Sequence, residues 1–136
     1  MNGYLLDTNV LSELLKDRPQ PGVVARFRKL DPDQVATSVV CVTELRYGAA
    51  RRSDGGALWT RITRELLPRL RVLPLRLREA VRAGEILADL AARGEPIGLE
   101  DVFIAATAQE NALTAVTRNL RHFSRIGGLT AESWWE

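Results

Sequence analysis

The sequence predicts an α/β fold with a central, mostly parallel sheet of four to five strands flanked by helices. Three observations carry this. Short apolar runs alternate with segments of helical period along the chain. The 136 residues, 46% of them apolar, suffice for a single core. No repeat, linker or low-complexity segment interrupts them, so one domain is expected over 1–136. Parallel strands joined through helices follow from that alternation.

Each element has its own signal. "GYLLD" (Gly3–Asp7) is a short apolar strand that ends at an acid, and "TNVLSELLK" then takes up helical spacing with Val10, Leu11, Leu14 and Leu15 inward. "DRPQP" is a loop whose Pro21 opens a second helix, with Val23, Val24, Phe27 and Leu30 inward. After the "DPD" turn, "QVATSV" is a strand, and Ser38 caps a helix through "VCVTELRYGAA". "RRSDGG" is a polar break, followed by a helix carrying Leu58, Trp59, Ile62, Leu66 and Leu67 that Pro68 ends. "RVLPL" is a third strand. From Arg76 to Arg93, Leu77, Ala80, Val81, Gly84, Leu87, Ala88 and Ala91 follow helical spacing and mark the expected inner face. "GEPIG" separates this helix from another at Leu99–Asn111; "LTAVT" is a fourth strand, and "RNLRHFSRIGGL" a loop or short helical turn.

Composition narrows the function classes. No apolar run approaches the roughly 20 residues of a membrane span. The first residues lack the basic-then-apolar pattern of a secretory signal. A single cysteine, Cys41, excludes an internal disulfide and a cysteine-based zinc site, so a soluble cytoplasmic protein is expected. The net charge of +2 does not itself call for nucleic acid. Seventeen of the 19 basic residues are arginine, which suits bidentate phosphate contacts but also follows from genomic base composition.

Four polar residues fall where the carboxyl ends of the strands would gather functional groups. Asp7 closes the first strand; it is either a helix N-cap or a site residue. Glu44 lies among Val40, Cys41, Leu45 and Gly48 at helical distances, and either serves a site or pairs with Arg46 or Arg51. Asp101 sits in the first turn of its helix if Gly98 is the N-cap, on a stripe with Ile104, Ala105 and Ala108. The helix dipole alone favours an acid there by about 0.3–1 kcal/mol. Asn119 follows the fourth strand, as a turn residue or a fourth site group. Three carboxylates drawn together repel and need a cation. With no histidine or cysteine cluster, the ligand set suits Mg²⁺ or Mn²⁺ rather than Zn²⁺. Such a centre serves phosphate or phosphodiester chemistry.

Four segments in order, "LLDTNVLSELL", "TSVVCVTELRYGA", "GEPIGLEDVFIAATA" and "AVTRNLRHFSRIGGL", resemble those of the PIN-domain ribonucleases, among them the VapC and FitB-like toxins of type II toxin–antitoxin pairs. The likeness covers nearly the whole chain. It implies a Mg²⁺-dependent endoribonuclease in which a metal-activated water cleaves RNA. Asp7, Glu44 and Asp101 take the positions of the metal ligands, and Thr117 with Asn119 the element that completes the pocket. The chain departs from the family in carrying an amide at 119, which implies one-metal operation or a weakly held second ion. The resemblance also implies a homodimer and a cognate antitoxin whose tail covers the acids, with operator DNA bound only through that antitoxin.

Arg46, Arg118 and Arg121 flank the proposed ligands and are candidates for phosphate or antitoxin contacts, or are solvated surface residues. His122 is expected in a turn or dimer contact, and Trp134 and Trp135 to pack the C-terminus onto the domain. Two other readings compete. A catalytically weak module that binds RNA or an antitoxin is favoured by Asn119 alone. An aspartyl phosphatase would need a second acid two residues after the first, where Asn9 stands.

Overall fold

The computed structural model describes residues 3–135; Met1, Asn2 and Glu136, which the single-domain expectation also spans, lie outside them. Five strands form one sheet in the order β3-β2-β1-β4-β5, and every pair is parallel. They are β1 (Tyr4–Leu6), β2 (Val35–Ser38), β3 (Arg71–Leu73), β4 (Thr114–Val116) and β5 (Ala131–Glu132). The short β5 at the edge completes the upper end of the expected strand range. Strand order reverses between β1 and β4, the crevice where open parallel sheets place their ligands.

Among the described residues, the helices are α1 (Thr8–Leu14), α2 (Pro21–Arg28), α3 (Val39–Ala50), α4 (Gly55–Arg61), α5 (Leu77–Ala92), α6 (Leu99–Glu110) and α7 (Leu120–Phe123). Local chemistry sets their starts. Asp7 caps α1, Gln20 caps α2 with Pro21 at its first position, and Ser38 caps α3 by accepting from the Val40 N–H at 3.0 Å. Gly55 and Gly56, read as part of a polar break, already belong to α4. That helix widens into a π-turn over Ile62–Leu66 before Pro68, which keeps Ile62 and Leu66 in the core. None of the helices is long and apolar enough to cross a membrane.

One expected inner face holds and one is corrected. In α1, Val10 and Leu11 are buried, Leu14 and Leu15 pack against the core while partly exposed, and Glu13 is buried beside them. Its carboxylate accepts from Lys16 Nζ and from the Gln20 N–H, both at 2.9 Å, which ties the following loop to the helix. In α5 the apolar stripe faces outward. Leu77 is 81% and Val81 56% exposed, and Ala80, Gly84, Leu87, Ala88 and Ala91 are exposed as well. The buried residues are Glu79, Ala83, Ile86 and Leu90. Glu79 tolerates the core because its carboxylate accepts from the Arg76 N–H at 2.9 Å and pairs with Arg78 Nε at 3.0 Å. Two helical stripes were therefore available on α5, and packing against α6 selected the less apolar one.

The loop between α3 and α4 turns without room for a side chain. A Cβ on Gly55 would lie 1.7 Å from the Ala49 carbonyl oxygen. Gly55→Ala is expected to destabilise the fold by at least about 1–3 kcal/mol, the usual cost of overpacking, read as a lower midpoint of urea unfolding.

Candidate functional site

The site lies at the carboxyl end of the sheet, where β1 and β4 meet. Leu6 pairs with Val116, so the next residues, Asp7 and Thr117, emerge side by side. Thr117 Oγ1 donates to Asp7 Oδ2 at 2.7 Å, and the Thr8 N–H donates to Asp7 Oδ1 at the same distance. The N-cap reading of Asp7 is thus correct and does not compete with a site role. Asn9 Nδ2 adds a bond to Oδ2 at 3.2 Å, while Asn9 Oδ1 accepts the Arg118 N–H.

Glu44 reaches the same place from α3 and accepts from Thr8 Oγ1 rather than pairing with Arg46 or Arg51. Those arginines stack instead on Trp59 and Tyr47. Ligand atoms of Asp7, Glu44 and Cys41 lie within 4.8 Å of one another. Cys41 is a buried thiol whose pKa burial pushes up to about 11, so it stays protonated beside the two acids. Asp101, in the first turn of α6, stands a little apart. Its Oδ2 lies 3.1 Å from His122 Nδ1, which is itself 2.8 Å from the Asn119 side-chain amide. Asn119 also donates its backbone N–H to Thr117 Oγ1 at 2.9 Å.

Asp7, Glu44, Asp101, Arg118 and Asn119 share the lining of a cavity of about 450 Å³. Arg118 stacks over Trp135 at 5.4 Å; Trp134 is buried, edge-on to Tyr4, so the C-terminal tryptophans do pack. Arg46 and Arg121 are exposed and do not line the cavity. In the "DTN" tripeptide Thr8 and Asn9 are the polar residues of the first turn, and both bond the acids. His122 was detectable as the residue one helical turn beyond Asn119.

Around this cavity Asp7, Glu13, Glu44 and Asp101 stand against Lys16 and Arg118, so acids predominate. Burial first, and then the Asp101 and Glu44 charges, push the Asp7 pKa from 3.8 up to about 6 against the opposing bonds from Thr117 and Thr8. Among the described residues, no lysine or arginine forms an ion pair with Asp7 or Glu44. All three acids offer oxygen ligands, so the residues present fit a hard divalent ion.

Comparison with known proteins agrees with this architecture. The PIN domain family model matches residues 4–129. "Ribonuclease VapC2" of Haemophilus influenzae is 34% identical over 131 residues, 96% of this chain and 97% of that protein. "tRNA(fMet)-specific endonuclease VapC" of Salmonella typhimurium has the same identity and coverage. The crystal structure of DNA-bound VapBC from Salmonella typhimurium superposes with a TM-score of 0.89 at 34% identity, covering 98% of this chain and 99% of that one.

Without a divalent ion, the folded state holds a proton on Asp7 that the unfolded chain has lost between pH 3.8 and about 6. Stability should therefore fall as pH rises through that window, and the penalty is fully present above it. In EDTA at pH 7, Asp7→Asn is expected to raise the unfolding free energy by at most about 3 kcal/mol and to flatten its dependence on pH between 4 and 6. A lower melting temperature in the variant would mean that capping outweighs charge burial.

Proposed function

This chain belongs to the PIN-domain family, and from that premise we propose that it is a divalent-metal-dependent endoribonuclease, the toxin of a toxin–antitoxin pair, built as a single PIN domain. The observation that carries the reading is the buried, uncompensated Asp7 carboxylate with Glu44 and Asp101 around it. A bound Mg²⁺ or Mn²⁺ would lower the pKa of a water and neutralise charge on the phosphoryl oxygens.

The chain's own residues do the rest. Asp7, Glu44 and Asp101 would hold the ion, and Thr117 and Asn9 fix one oxygen of Asp7 so that its orientation is set in advance. Arg118, at the cavity wall, is placed to meet a phosphate of the RNA or an acidic group of the antitoxin. A groove of about 290 Å³ between α1, α3 and α4 shares Thr8 and Glu44 with the acidic cavity and continues past Leu15, Leu45, Leu58 and Ile62. It supports a partner segment that runs over apolar surface into the acids, as an antitoxin tail would.

A homodimer is part of the same reading. On α5 the exposed Leu77, Val81, Gly84, Ala88 and Ala91 recur at intervals of four and three, the spacing of a helix-packing seam. Basic Arg78 and Arg82 flank its first half and acidic Glu85 and Asp89 its second, so an antiparallel copy would meet complementary charge. Val81→Glu is expected to yield monomers in sedimentation equilibrium with an unchanged far-ultraviolet spectrum; a persistent dimer would place the contact elsewhere.

Cleavage of a mixed cellular RNA pool by the antitoxin-free chain tests the activity. Discrete fragments are expected with Mg²⁺ or Mn²⁺ and none in EDTA. Asp101→Asn should lose at least the roughly 10–100-fold that removal of a metal's outer partner costs. The amide at 119 favours one other reading, a binding module that has lost cleavage. Silence from folded wild-type protein across a range of RNAs would select it.

A further inference from the structure

We propose that His122 is a positioning residue for Asp101: its Nδ1–H holds the Asp101 carboxylate and so decides which oxygen is left for the metal. The role rests on the proposed nuclease reading, because Asp101 is a metal ligand only there. His122 Nδ1 lies 3.1 Å from Asp101 Oδ2 and 2.8 Å from the terminal amide of Asn119. A neutral imidazole nitrogen either donates or accepts, and it cannot do both.

With the hydrogen on Nε2, the Nδ1 lone pair would face a carboxylate oxygen at hydrogen-bond distance, which is repulsive. With the hydrogen on Nδ1, the same contact becomes a charge-assisted hydrogen bond. The atom placed opposite Nδ1 is the Asn119 nitrogen, Nδ2; a half-turn of the amide exchanges nitrogen for oxygen and lets that oxygen accept the Nδ1–H. The carboxylate thus selects the tautomer, and the tautomer selects the amide orientation.

The backbone that carries the ring is fixed. His122 belongs to α7, its backbone N–H donates to the Asn119 carbonyl at 3.2 Å, and the next residue, Phe123, is fully buried. With Oδ2 committed to His122, Asp101 has Oδ1 to offer a cation, and its orientation is set before the ion arrives. Outer partners of this kind commonly set the affinity of a metal site. Asn119, the amide where the family's element allows an acid, then acts through His122 rather than as an independent ligand.

His122 is the chain's only histidine, so its imidazole signals in the untagged protein need no assignment. Long-range ¹H–¹⁵N NMR at pH 8 in EDTA should show the Nδ1–H tautomer in the wild type and a shift towards Nε2–H in Asp101→Asn. An Nε2–H tautomer in the wild type overturns the proposal, whether or not any variant folds. Calorimetric titration with Mn²⁺ gives the second readout. His122→Phe should bind about 10–100-fold more weakly, and His122→Asn, whose amide N–H can replace Nδ1–H, should regain most of that loss. Uptake abolished in Asp101→Asn but intact in His122→Phe overturns the role of His122 alone. A wild-type chain that takes up no Mn²⁺ overturns the nuclease reading and this role with it.

Discussion

The architecture of the site depends on burying one carboxylate, Asp7, at the crevice where the strand order reverses. The parallel pairing of β1 with β4 leaves Asp7 no choice of neighbour, because Thr117 occupies the matching position one residue past its own strand. The Thr117 hydroxyl and the Thr8 N–H bind the two carboxylate oxygens, and they fix orientation without supplying charge. Two more acids are then brought towards it, Glu44 from α3 and Asp101 from α6. The metal-free fold therefore carries a local electrostatic cost that a divalent cation would relieve. Strain of this type is what binding sites store.

The three acids are not equivalent. Asp7 and Glu44 are close enough to share an ion and are joined through consecutive residues, since Thr8 bonds both. Asp101 approaches from a different helix and is linked to the polar cluster after β4 through His122. The dipole of α6 favours an acid in this turn but does not orient it; the imidazole does. The charge at the head of this largely buried helix therefore has a partner in space as well as the dipole.

The outer surface is organised by a parallel logic. Helix α5 carries two candidate faces, and its more apolar one is left in solvent. The buried face accepts Glu79 because the helix start and Arg78 satisfy its carboxylate, and Ala83, Ile86 and Leu90 complete the contact. An exposed apolar seam on a well-packed helix is a costly arrangement in an isolated chain, and one that association with a second copy would relieve.

Much of this was legible in the sequence. The alternation of short apolar runs with helical periods determined the α/β class, and an acid after the first strand together with acids on the apolar stripes of two helices marked Asp7, Glu44 and Asp101 as candidates, because both signals are local in the chain. Tertiary structure decided the rest. Periodicity can find an apolar stripe on α5 but cannot say whether the core or a partner will cover it, since that depends on what α6 presents. The bond between Asp101 and His122 joins residues 21 apart, and Cys41 reaches the acids only once β2 has paired with β1. Such contacts follow from the order and register of strands, which composition and spacing do not encode.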